Sequence, residues 1–251
     1  MRKRFGRHFV ADDRDSKYKI RRTATERAYR YWYDNSWWGD QLATPHCVGF
    51  AWTHWLTNVP VVNYLDPDGV YTLAQRFDEW KGSNYDGTSV RAGAKVLKML
   101  GLIKRYEWCW DVNVLTNAVL ERGPVVVGTN WYRGMEVPDR NGLISVTGKL
   151  LGGHAYLITG VNLHREAFRI KNSWGRKWGL DGRAYVSFDD MDKLIQAQGE
   201  VCLAVENKAK PPKVTESRCR TYEPRGNPTV FTAAEKRRRT AIRKVRGGRH
   251  K

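Results

Sequence analysis

The chain has 251 residues, 41% of them hydrophobic and eleven of them Trp, with a formal net charge of +18. That length allows one sizeable core, divided at most into two lobes, and the composition is that of a globular protein. No uncharged apolar run approaches the ~20 residues of a membrane helix.

The excess charge sits at the ends. Residues 1–30 hold eleven cations and four anions, residues 206–251 hold fifteen and four, and the body between them is neutral, with eighteen of each. The first thirty residues read as a basic, partly flexible segment with a short extended piece at 18–20. The body begins near Tyr31-Trp32-Tyr33. Bulky residues at helical intervals predict a helix over 47–56, starting at or just after Cys47. Further helices are predicted over 72–80, over 89–100 with Gly101 as its stop, and over 112–122 before Gly123-Pro124. The pattern then changes to short β-branched and aromatic runs at 125–128, 154–160, 167–170 and 184–188. A short helix over 189–198 and a closing strand over 200–205 follow. Beyond 206 the Pro-, Lys- and Arg-rich composition reads as a disordered tail.

A mostly helical first half and a mostly strand second half predict an α+β protein with its site in a cleft between two lobes. The domain reading is a segment 1–30, a body 31–205 divided at 115/116, and a tail 206–251.

The chemistry-bearing residues are Gln41, Cys47, His154 and Asn172, in that order. A catalytic thiol must become thiolate, and a helix N-terminus together with an imidazolium can lower its pKa from ~8.5 to roughly 3–4. Cys47 at a helix start and His154 on the facing lobe supply both. Asn172 then orients the imidazole, while the Gln41 amide and the Cys47 backbone N–H can donate to an oxyanion. Four cysteines, Cys47, Cys109, Cys202 and Cys219, show no metal-binding spacing and leave at least one thiol unpaired if Cys47 is catalytic. That usage suits a reducing compartment. With no apolar core after the basic start, no signal peptide is read, and a soluble, intracellular protein is expected.

These residues carry a resemblance. The run from Lys171-Asn172-Ser173-Trp174-Gly175 through Trp178-Gly179 to Gly182 resembles the KNSWGxxWGxxG segment of the papain-like (C1) cysteine peptidases. Gly153-His154-Ala155, the Gln41-to-Cys47 spacing, Gly87-Thr88-Ser89 and Gly123-Pro124-Val125 are similar to further segments of that family, so the likeness spans roughly 35–205. It implies the papain-like two-lobed fold, a helical N-terminal lobe and an antiparallel β-rich C-terminal lobe. It also implies a polypeptide substrate, no cofactor and no metal. Substrate contacts fall on Gly87, Thr88, Gly153, Trp174 and Trp178, and Trp174 shields the Asn–His bond. There are departures: Val48 follows the Cys, Pro45-His46 precede it, and Thr44 stands where plant and lysosomal members carry a disulfide Cys. The 46 residues before Cys47 suggest an enzyme without zymogen control.

Blander readings accompany each residue. An isolated Cys in an apolar run is usually core, a lone strand His is usually structural, and surface Gln is common. His46 reads as cleft-lining at best and His54 as packed or exposed. Cys109, Cys202 and Cys219 read as inert thiols, and Trp131 and Trp178 as cleft edges. The leading function is a thiol peptidase working through a Cys47 acyl-enzyme. The alternatives are a transpeptidase using the same site, or a structural protein with a decayed peptidase body that associates with nucleic acid or another polyanion through its basic ends.

Overall fold

A computed structural model describes residues 3–33, 37–58, 61, 63–82 and 84–207. The tail expected to be disordered lies outside the described residues except for Glu206 and Asn207, as does Cys219.

The first long helix, α1 (Cys47–Thr57), is buried along its whole length. A helix apolar all round belongs inside a protein, and α1 is enclosed by its neighbours α2 (Pro67–Ala74) and α3 (Val90–Met99) and by the sheet. Asp66 caps α2 through its carboxylate to the Gly69 amide, and Pro67 occupies the first turn, where its missing N–H costs nothing. The helix therefore starts before the predicted 72–80 and ends at Ala74. Ser89 caps α3 in the same way. Gly93 lets α3 approach α1, because a Cβ there would collide with the Trp52 indole, whose Nε1 donates to Val90 O at 3.0 Å.

Among the described residues one antiparallel sheet runs in the order β2 (Ile103–Cys109), β7 (Glu200–Glu206), β3 (Val125–Tyr132), β4 (Leu150–Asn162), β5 (Ala167–Lys171), β6 (Arg183–Ser187). A short β1 (Tyr29–Tyr31) also pairs with β4, Tyr31 opposite Gly160. Helix α4 (Val112–Glu121), capped by Asp111, and helix α5 (Phe188–Gln196), capped by Ser187, pack against each other, with α4 on β4 and α5 on β6 and β3. The predicted strands at 125–128 and 154–160 are cores of longer ones, and β2 was not predicted.

The basic start differs from its reading as a partly flexible segment. It winds through a 3-10 turn (Asp13–Tyr18), and the Arg91 guanidinium of α3 makes a buried ion pair with Asp15. Ile20 hydrogen-bonds to Trp108 O, and Thr23 exchanges bonds with the Asn117 side chain. Much of its charge is spent internally, with Lys3 on Asp40, Arg4 on Asp86, Arg7 on Glu200, Arg14 on Asp12 and Arg27 on Glu121.

Candidate active site

Cys47 is the first residue of α1, so its side chain sits where the unpaired amides of the helix start point. The helix packs on β4, which carries His154, and the Cys47 sulfur takes hydrogen bonds from the backbone of Ala155, Gly6 and Val48. The Ala155 amide places the sulfur beside the peptide that follows His154.

His154 Nε2 lies 2.8 Å from Asn172 Oδ1, and the Ser173 amide donates to the same oxygen at 2.8 Å. An oxygen that accepts from Ser173 fixes the orientation of the amide, so Nε2 is the protonated ring nitrogen. His154 Nδ1 is left as a buried lone pair without a hydrogen-bond partner. The rings of Trp131, Trp174 and Phe5 enclose the imidazole at 4.8, 5.2 and 5.8 Å between centroids. Trp131 and Trp174 are both walls of this box, and both are buried in the core. Trp178 packs behind Trp174 and donates its Nε1 to Glu136 O at 2.7 Å.

Gln41 is held from both sides of the fold. Ser173 Oγ donates to its Oε1 at 2.5 Å and its own amide donates to Ser173 O at 2.8 Å. Its Nε2 is thereby aimed, donating to Thr44 O at 2.7 Å and to Arg4 O at 3.0 Å. His46 is turned to Asp68, 2.7 Å from Nδ1, and stacks on Tyr71 at 3.9 Å. His54 is packed inside α1 against Trp37, and burial drives its pKa well down.

The feature missing from the sequence reading is what fills the cleft. Residues 4–8 run parallel to Gly87–Thr88: the Thr88 amide donates to Gly6 O at 2.7 Å and the His8 amide to Thr88 O at 2.9 Å. On the other side the Arg7 amide donates to Gly153 O at 3.0 Å. Gly87, Thr88, Gly153 and Trp174, the positions expected to meet a substrate, meet the chain's own start instead. Gly6 passes so close to Pro45 that a Cβ would overlap Pro45 O and lie 2.6 Å from its carbon. The expectation of a site without zymogen control thus meets a cleft occupied by residues 4–8. The only trace in the sequence is Phe5-Gly6, an aromatic and a glycine inside a charged run.

Occupation changes the electrostatics. Cys47 and His154 are completely buried. Burial pushes the Cys47 thiol up, against the pull of its three backbone hydrogen bonds and of Arg7. Burial also lowers His154 to about 4, the Asn172 bond raising it and Lys3 lowering it by less. Here the pair is a neutral thiol and a neutral imidazole, the reverse of the ionised pair anticipated from the sequence. Nor is the segment posed for attack. The sulfur faces the Gly6 amide N–H, while the carbonyl on the Gln41 amide belongs to Arg4, one peptide unit away. Cys109, pushed up to about 12 by burial, and Cys202, raised well above its ordinary value, are unpaired buried thiols.

This architecture is the papain-like fold of cysteine peptidases, as the motif resemblance implied. Xylellain, a cysteine protease from Xylella fastidiosa, superposes with a TM-score of 0.65 at 19% identity, over 83% of this chain and 98% of that one. Bromelain from Ananas comosus, solved with the inhibitor E64, gives 0.55 at 14% identity over 72% and 100%. In sequence, an uncharacterised peptidase C1-like protein of Acanthamoeba polyphaga mimivirus is 33% identical over 139 residues. The match takes in 38% of this chain and spans less than half, 45%, of that relative. No family model matches the chain. Among the described residues no helix is long and apolar enough to cross a membrane.

Proposed function

We propose that this chain is a cysteine peptidase that hydrolyses peptide bonds through a Cys47 acyl-enzyme and is held latent by its own residues 4–8. The observation that carries the reading is the His154–Asn172 bond, which leaves Nδ1 free as a base, with the Cys47 sulfur on the adjoining Ala155 amide.

When the segment withdraws, water re-enters and the cause of both pKa shifts is lifted. The proton can then pass from Sγ to Nδ1, giving a thiolate at the helix start and an imidazolium held by Asn172. The sulfur attacks the substrate carbonyl carbon, and the oxygen takes up the Gln41 amide and the Cys47 N–H. Nδ1 gives its proton to the departing amine as the C–N bond breaks. Water then attacks the thioester, returns a proton to the imidazole and frees the thiol. That the Gln41 amide already holds a peptide carbonyl, that of Arg4, supports its role.

The test is hydrolysis of a general fluorogenic peptide after the segment has been displaced, with Cys47→Ala as the control. Loss of turnover in the control supports the reading; turnover that survives it refutes the reading.

A further inference from the structure

Residues 17–33 form a strap with no part in the cleft. They carry six cations, a single anion (Glu26) and five aromatic residues. After Tyr18 the strap has no helix, and it is held down by main chain and small polar groups. The Ile20 amide donates to Trp108 O at 2.8 Å and the Thr23 amide to Asn117 Oδ1 at 2.6 Å. Thr25 Oγ1 donates to Glu121, and further on the Trp32 amide donates to Thr159 O at 2.8 Å. Anchors of this kind leave the long side chains outside. Among the described residues Lys17, Lys19, Arg21 and Arg22 are exposed and enter no ion pair, and Tyr18 between them is exposed as well.

The far end of the strap is a row of rings. Arg30 and Trp32 turn toward α4, Arg30 Nη1 donating to Leu120 O at 3.3 Å and Trp32 Nε1 to Val119 O at 2.7 Å, with the guanidinium 3.8 Å from the indole centroid. Strand alternation sends Tyr29, Tyr31 and Tyr33 to the other side. Tyr29 and Tyr31 lie 6.4 Å apart, and Tyr29 and Tyr33 are 61% and 68% exposed. Tyr31 lies across Gly160, where a Cβ would stand 2.3 Å from its ring, and reaches the Arg169 guanidinium at 4.6 Å. The turn after β4 comes alongside, the Leu163 amide donating to Ala28 O at 2.8 Å, and brings the exposed Arg165 over the Tyr185 ring at 5.3 Å. Rings at every second strand residue stand ~7 Å apart, as successive platforms for planar groups.

We propose that this strap binds single-stranded nucleic acid, with phosphates on Lys17, Lys19, Arg21 and Arg22 and bases stacked on Tyr29, Tyr31 and Tyr33. A phosphodiester chain matches the charge, and unpaired bases match the rings, because every base has a face to stack. An extended ribbon offers no helix to enter a major groove, and stacking needs bases free of their partners, so a duplex fits less well. An acidic protein or an anionic lipid surface would meet the cations and leave the row of tyrosines without a counterpart. Gly160, beneath Tyr31, lies about 20 Å along β4 from His154 at the usual strand rise. Binding here is separate from Cys47 and needs no turnover.

The test is a titration of the full chain, by fluorescence anisotropy, with a labelled oligothymidylate of about twelve nucleotides and with an abasic strand of equal length and charge. The cations of 206–251 act on both probes alike, so the difference between the probes reads stacking. Oligothymidylate should bind about 10- to 100-fold more tightly than the abasic strand. Tyr29→Ala/Tyr33→Ala should erase most of that difference, and Tyr29→Phe/Tyr33→Phe should keep it. Replacing Lys17, Lys19, Arg21 and Arg22 together by Gln should flatten the slope of log affinity against log salt by about 2 to 3 for both probes. Equal binding of the two probes, a preference that survives loss of the rings, or an unchanged salt slope overturns the proposal. So does a duplex bound as tightly as the single strand, or a preference for phosphatidylserine vesicles that the same variants lose, which would assign the strap to a membrane surface. Should the alanine variant fail to fold, the two probes on the unaltered chain decide by themselves.

Discussion

Gly6→Ala should open the cleft without disturbing the body. The added methyl would overlap Pro45 O and sit 2.6 Å from Pro45 C, against backbone that cannot swing aside. Relief requires the segment to retreat by an ångström or more. That breaks the bonds of Gly6 O with Thr88 at 2.7 Å, of His8 with Thr88 at 2.9 Å, of Arg7 with Gly153 at 3.0 Å and of Gln41 with Arg4 at 3.0 Å. At ~1 kcal/mol net apiece they amount to about 4 kcal/mol, on the order of a 10³-fold change in the closed-to-open ratio. The assay is the second-order rate of iodoacetamide labelling at Cys47, read by peptide mapping, with the buried Cys109 and Cys202 as internal references. Cys47 should label roughly 10²- to 10³-fold faster in the variant while the Tm of the body changes little. A variant that folds normally and labels at the wild-type rate would refute the reasoning, because the segment would not be what seals the sulfur.

Asn172→Ala, placed in the Gly6→Ala background, removes the acceptor of His154 Nε2. It should lower kcat on the order of 10²-fold with a smaller change in KM, measured by steady-state hydrolysis. His154 is depressed to about 4 in the folded chain against an ordinary value of 6.5. The unfolded chain therefore takes up the proton first, so stability is lost as pH falls from 6.5 toward 4. Relative to His154→Gln, the wild type should lose up to about 3 kcal/mol across that window in urea titrations; parallel pH curves would contradict it. Asp15→Ala strands the buried Arg91 guanidinium and should cost about 3 kcal/mol in urea unfolding, with Asp15→Leu/Arg91→Met recovering much of the loss.

The candidate site was legible where chemistry restricts residue choice. A thiol at a helix start, an imidazole in a strand and an orienting amide after the next strand leave marks that spacing preserves, and α1, α3, α4 and β3–β7 follow from caps and periodicity. β2 was hidden because Lys104, Arg105 and Glu107 interrupt its apolar pattern, although Trp108 and Cys109 are buried against β7. The start of α2 lay in Asp66-Pro67, a cap signal outweighed by the aromatic residues after it. The occupied cleft left no more than Phe5-Gly6 as a trace. Residues 4–8 hold their place by main-chain bonds, which any sequence can make, and by Arg7 meeting Glu200, a pairing across 193 positions that no local pattern announces. Five of the eleven cations in residues 1–30 form ion pairs within the fold, Lys3, Arg4, Arg7, Arg14 and Arg27.

The most direct measurement is turnover of a general fluorogenic peptide by Gly6→Ala beside Gly6→Ala/Cys47→Ala. The account predicts hydrolysis by the first and none by the second, with mass spectrometry finding a vinyl-sulfone inhibitor attached at Cys47 alone. An opened chain that cleaves nothing, or one whose cleavage survives loss of the sulfur, would contradict it.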